Sequence, residues 1–135
     1  LLTCDCDVLV PAALENQINA EVAEQLRCRY IVEGANGPTT VEADAILEQR
    51  GITLIPDIFA NSGGVIVSYF EWVQNIQELT WERSQVNEML EKLMTASFGE
   101  LLEERKKTAC SYRMAAYIVA LRQLLYAEDI KGLFP

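Results

Sequence analysis

RYIVEGANGPTTVEADAILEQRGITLIPD, residues 29–57, reads as an apolar run, a turn of small residues, a helical stretch and a second apolar run. RYIVEG (29–34) is short, apolar and closed by a turn signal, as a buried strand should be, whereas TTVEADAILEQRG (39–51) changes to helical spacing. ITLIPD (52–57) then supplies the next strand. Upstream, DVLVP (7–11) followed by NAEVAEQL (19–26) repeats the arrangement. Strands alternating with helices at this spacing predict βαβ units and a parallel sheet with covered faces, an α/β fold. Between strand and helix, Pro38 restricts Gly37 to extended or turn conformations and Gly37 tolerates dihedrals other residues do not. Thr39, with Glu42 three residues on, fits a capping box and predicts the helix start. Asn36 has two readings here: its amide bonds its own turn, or it points at a ligand above the strand.

After Asp57 no strand-like run occurs, and helical periods continue to Phe134. GVIVSYFEWVQNI (64–76) is apolar on nearly every face, which predicts a helix surrounded by protein. Val86, Met89, Leu90, Leu93, Met94, Leu101 and Leu102 keep helical spacing in the next segment, with Arg105, Lys106 and Lys107 where a helix C-terminus favours cations. Ser111 is a predicted cap for a last helix, ended by Gly132 and Pro135. A three-stranded parallel sheet leaves an edge unpaired, and two near-wholly apolar helices need more cover than 135 residues readily supply. The chain therefore reads as a piece of something larger, with LLTCDC as the tail of a preceding element.

The composition, 50% hydrophobic and 23% charged, is that of a globular domain. With 20 acidic against 11 basic residues the net charge is −9, which repels phosphate backbones and anionic membrane surfaces. Nucleic acid and membrane are thus not expected partners. AAYIVALRQLLYA (115–127) is interrupted by Arg122 and Gln123 and is too short to span a bilayer. Without a recognisable leader pattern, the chain reads as cytoplasmic. Cys4, Cys6, Cys28 and Cys110 lack the clustered partners of a zinc site in a sequence without histidine, and read as reduced thiols packed like small apolar residues.

Ligands of open parallel sheets bind at the carboxyl ends of the strands. PAALEN (11–16), EGANGPTT (33–40) and DIFANSGG (57–64) form these ends, and all carry small residues where a ligand can approach the backbone. Paired glycines at 63 and 64 gain little at a helix start unless a ligand or another helix packs on them. Ser68 reads most simply as a hydroxyl bonded back to its own helix. No GxGxxG loop, Walker motif or complete catalytic constellation is present.

CDVLVPAALENQI (6–18), IVEGANGPTT (31–40), LIPDIFANSGGVIVSYFEWVQN (54–75) and RMAAYIVAL (113–121) closely resemble the carboxyl-terminal part of hexameric glutamate dehydrogenases, in order and with similar spacing. The resemblance implies the second half of a Rossmann-like parallel sheet followed by a long-helix C-terminal region. Residues 1–62 would form part of a dinucleotide-binding domain and residues 63–135 the interdomain and C-terminal helices. The implied reaction interconverts L-glutamate with 2-oxoglutarate and ammonia, using NAD or NADP, in a homohexamer. By motif match Ala12 would line the cofactor crevice near the adenosine, and Asn36 and Asn61 would face the nicotinamide and its ribose. Ser68 would reach the side-chain carboxylate of glutamate, which changes its simpler reading. The helix from Gly63 would be the segment about which two domains close. The family's catalytic lysine and aspartate and its glycine-rich loop have no counterpart here, so no catalytic residue and no metal ligand is assigned, and the fragment is expected to be inactive alone. Val41 stands where the family often has proline, and Phe59 and Ser62 replace commoner residues. No room exists between Ile76 and Cys110 for the antenna of animal enzymes, so purine nucleotide control of that kind is not expected. The alternative is a non-catalytic α/β interaction module derived from a dehydrogenase, which would fold alone and ignore NAD and NADP.

Overall fold

The computed structural model describes residues 1–132. Strand β1 (Val8–Leu9), helix α1 (Ala20–Gln25), β2 (Tyr30–Val32), α2 (Val41–Gln49) and β3 (Thr53–Ile55) form the α/β part; α3 (Asp57–Ala60), α4 (Ser62–Gln77), α5 (Arg83–Thr108) and α6 (Tyr112–Lys131) follow. The three strands are parallel in the order β1-β2-β3, with Leu9 opposite Ile31 and Ile31 opposite Leu54. This is the predicted alternation. A parallel bridge between Asp5 and Arg27 continues the β1–β2 pairing backwards, so the opening residues belong to the sheet's surroundings, with Leu2 and Cys6 packed against the core.

That core is built from Ile18, Ala23, Leu26, Cys28, Ile31, Ala43 and Leu47, bringing α1 and α2 onto the central strand. Asn19 caps α1, its side chain accepting from Val22 N–H at 2.9 Å. Arg50 closes the other end: its guanidinium donates to the carbonyls of Ala23 and Leu26, the unsatisfied acceptors of the α1 C-terminus. Burial pushes the Cys28 thiol above its ordinary pKa. Cys28 thus behaves as a small apolar residue, but Cys4 is exposed.

The predicted cap of α2 is displaced by one residue. Thr40, not Thr39, has extended backbone and accepts from Ala43 N–H at 3.3 Å. Thr39 instead pairs with Ile18 in an isolated parallel bridge, which leaves its buried hydroxyl oxygen without a hydrogen-bond partner among the described residues.

Helices α5 and α6 fold back on each other, and α6 returns to β3 and α3. Phe59 of α3 stacks on Phe98 with ring centroids 5.3 Å apart, and it packs against Leu101, Ala115 and Ala116. The Ser62 hydroxyl donates to the Phe59 carbonyl at 2.7 Å. Ser111 caps α6 as expected, accepting from Met114 N–H at 3.2 Å. Pro135 lies outside the described residues.

Helix α4 differs from expectation. Only Phe70 is buried, edge-on to Trp81, whereas Val65, Tyr69, Trp72 and Ile76 are exposed. It is not surrounded by protein, because among the described residues its main neighbours are α5 and the short α3. The far half of α6 is similar, with Leu121, Leu124, Leu125, Tyr126 and Ile130 exposed. Apolar surface of this extent marks a face built to be covered. No helix among the described residues is long and apolar enough to cross a membrane.

Candidate functional site

The carboxyl ends of the strands release their loops on one rim. The loop after β1 is fastened to the loop after β2 by paired bonds, since Gly34 N–H and Ala35 N–H both donate to the Pro11 carbonyl at 3.1 and 2.9 Å. Further along, Asn16 N–H donates to the Gly37 carbonyl and Ile18 N–H to that of Pro38, each at 2.8 Å. Gly34 is required by this closeness: a Cβ there would sit 2.9 Å from the Cβ of Ala12. Gly34→Ala is therefore expected to force the loops apart at a cost of about 1–3 kcal/mol, the usual size of overpacking. A melting temperature equal to wild type would contradict this packing.

Over these loops lies an open recess of about 720 Å³, lined by Leu14, Glu15, Gly34, Asn36, Asn61 and Ser68 among others. The structure thus gathers Asn36, Asn61 and Ser68 around one space. Ala12 is exposed beside Gly34, next to this lining, and its neighbour Ala13 faces the recess. Asn36 does not bond its own turn: its carbonyl oxygen accepts from the Asn61 carboxamide at 2.6 Å, linking the loops after β2 and β3. Since each carboxamide offers a carbonyl and two N–H donors, this pairing leaves the Asn36 amino group and the Asn61 carbonyl for other partners. Ser68, on α4, is exposed to the same recess.

A second layer of side chains beneath the rim escaped sequence reasoning. Glu33, the residue after β2, is 0% exposed. Arg113, near the start of α6, grips it in a fork, with Nη2 donating to Oε1 at 2.8 Å and Nη1 to Oε2 at 3.0 Å. The same guanidinium donates to both carboxylate oxygens of Asp44 on α2, and reaches Asp57 Oδ1 at 3.4 Å. Burial works against the charged guanidinium, but the bonds to Glu33 and Asp44 outweigh it and hold Arg113 above its ordinary pKa. From this cluster bonds run to the loops: Asp57 N–H donates to Glu33 Oε2 at 2.8 Å, and Gly37 N–H donates to Asp57 Oδ2 at 2.7 Å. One signal was visible beforehand: a glutamate directly after the apolar YIV, and an arginine opening an otherwise apolar helix.

Parallel strands whose carboxyl-end loops converge on an open recess, covered on one face by short crossover helices and followed by long helices, define an α/β fold of the Rossmann-like class. The chain belongs to the Glutamate/Leucine/Phenylalanine/Valine dehydrogenase family, whose profile matches residues 1–132. It is 50% identical over 135 residues to a glutamate dehydrogenase of Thermotoga maritima, covering 100% of this chain and 32% of the relative. To the cryptic catabolic NAD-specific glutamate dehydrogenase of Bacillus subtilis it is 49% identical over 132 residues, covering 98% of this chain and 31% of that one. Among solved structures, the glutamate dehydrogenase of Peptoniphilus asaccharolyticus superposes with a TM-score of 0.85 at 41% identity, over 93% of this chain and 32% of that chain. The hetero-hexameric glutamate dehydrogenase of Thermus thermophilus gives a TM-score of 0.93 at 30% identity, over 99% and 32%. The chain spans about a third of the length of these relatives.

Proposed function

We propose that this chain is the cofactor-side and hinge portion of an NAD(P)-dependent glutamate dehydrogenase, which interconverts L-glutamate with 2-oxoglutarate and ammonia. The observation that carries the reading is the Asn36–Asn61 pair, 2.6 Å apart on the rim of a recess that also receives Ser68, in a chain of this family. When bound, the nicotinamide supplies the hydride acceptor. The recess suits such a group: it has room, small residues at Gly34 and Ala35, and carboxamide atoms left over from the Asn36–Asn61 bond. The Asn36 amino group would donate to, and the Asn61 carbonyl would accept from, the nicotinamide or its ribose, which would hold that end of the cofactor. Ala12, exposed and close against Gly34, keeps the rim low towards the adenosine side. The NAD-specific names of relatives from Bacillus subtilis and Halobacterium salinarum favour NAD over NADP.

Ser68 donates its hydroxyl to the side-chain carboxylate of glutamate, a charge-assisted bond that selects an acidic substrate. Residues 1–62 act as the dinucleotide-binding part and residues 63–135 as the interdomain and C-terminal helices, with closure about the start of α4. The uncovered apolar faces of α4 and α6 pack, in this reading, against the rest of the subunit and its neighbours in a homohexamer, and closure excludes water from the recess. The general acid and base come from outside this chain, and the enzyme works in the cytoplasm.

In the full-length enzyme, Ser68→Ala should lower kcat/KM for glutamate by about ten- to a hundredfold, the worth of a hydrogen bond to a charged group, with the cofactor KM unchanged. Unchanged kinetics with glutamate would remove Ser68 from the substrate site.

A further inference from the structure

We infer that Arg113 is a positioning residue for the Asn36–Asn61 rim, holding the loop after β2 in place through Glu33 and Asp57 and so setting the affinity of the recess for the nicotinamide end of the cofactor. This rests on the proposed function above. Between the packed Gly34 and the buried Pro38, the tip of the loop is open: Gly37 has φ 54°, and a Cβ placed there would meet nothing within 4 Å. The position of that tip is therefore set by hydrogen bonds. On the β3 side these are the Asn36–Asn61 bond above and the Gly37–Asp57 bond below.

The lower bond is only as fixed as Asp57. That side chain accepts from Gly37 N–H through Oδ2 and from Ile58 N–H through Oδ1, while its own N–H is held by Glu33. Glu33 and Asp57 are both oriented by Arg113, which arrives from α6, 80 residues after Glu33. A single cation serving Glu33, Asp44 and Asp57 does more than neutralise one buried charge. Only a planar guanidinium with five donors fixes three carboxylates in register. A lysine keeps the positive charge but, as a point charge, bonds them one or two at a time and lets Asp57 swing.

The test uses the full-length enzyme and two variants, Arg113→Lys and Asp57→Asn. Peptide-level amide exchange without cofactor reports the loop, NADH fluorescence titration well below the melting temperature reports affinity, and glutamate KM serves as control. In both variants exchange across residues 34–38 should quicken and the NADH Kd should rise about five- to tenfold, with the glutamate KM unchanged. The double variant should be no worse than either single one, because both cut the same tether. If Arg113 served only to stabilise the fold, the variants would melt earlier while exchange at 34–38 or the NADH Kd stayed at the wild-type value, and either result overturns the inference. A wild-type enzyme without NADH affinity would instead refute the cofactor reading, and the exchange data would still decide whether Arg113 holds the loop.

Discussion

Arg113→Met is expected to lower the stability of the protein by about 3–5 kcal/mol in a urea titration, the usual cost of removing one partner from a buried ion pair. Methionine retains an unbranched apolar stem, so little of the loss comes from packing. The cost arises because Glu33, 0% exposed, would face Asp44 and Asp57 with no cation between them. Glu33 would keep the bond from Asp57 N–H, which is not enough to replace the solvation lost on burial. Adding Glu33→Gln to Arg113→Met should therefore restore part of the stability, because an amide oxygen still accepts from Asp57 N–H and carries no charge. A double variant that is simply the sum of its parts would show that the two side chains are not coupled.

Ile31→Ala is expected to cost about 2–5 kcal/mol, as large-to-small changes at closed core sites do. Ile31 is 0% exposed at the centre of β2, paired with Leu9 on one side and Leu54 on the other, and it belongs to the cluster with Ile18, Leu26 and Leu47. Its neighbour Tyr30 is 41% exposed, so Tyr30→Ala should cost much less despite deleting more atoms. A loss below about 1 kcal/mol for Ile31→Ala would mean that the site collapses freely, against the close packing of an ordered core.

The strands were legible because YIV and TLI are apolar runs bounded by turn residues, a signal that depends only on neighbours in sequence. The cap at Ser111 was equally local, read directly from its position before an apolar stretch. At Gly-Pro-Thr-Thr the same logic slipped by one residue. Two adjacent hydroxyls compete there, and the choice is made by Ile18, whose bridge to Thr39 keeps that residue extended. The single-turn helix α3 carries too few residues for a periodic signal and was read as loop. Helix α4 was legible as apolar all round, but its cover was not, since periodicity reports which residues avoid water and not what meets them.

The candidate site divides along similar lines. Asn36 and Asn61 could be singled out because they lie in strand-end loops, and Ser68 through resemblance to a family; the structure brings all three to one recess. Arg113, Glu33 and Asp44 were missed because their meeting is long-range, bridging β2, α2 and the start of α6. A glutamate after YIV and an arginine opening an apolar helix stood out singly, but chain separations of 80 and 69 residues leave no local trace of which charges pair.

The most direct test is where a nicotinamide nucleotide sits. A crystal structure of the full-length enzyme with NADH should place the carboxamides of Asn36 and Asn61 within hydrogen-bonding distance, about 2.7–3.2 Å, of the nicotinamide or its ribose. A nucleotide bound elsewhere, with the recess between Gly34, Asn61 and Ser68 left to solvent, would contradict this placement.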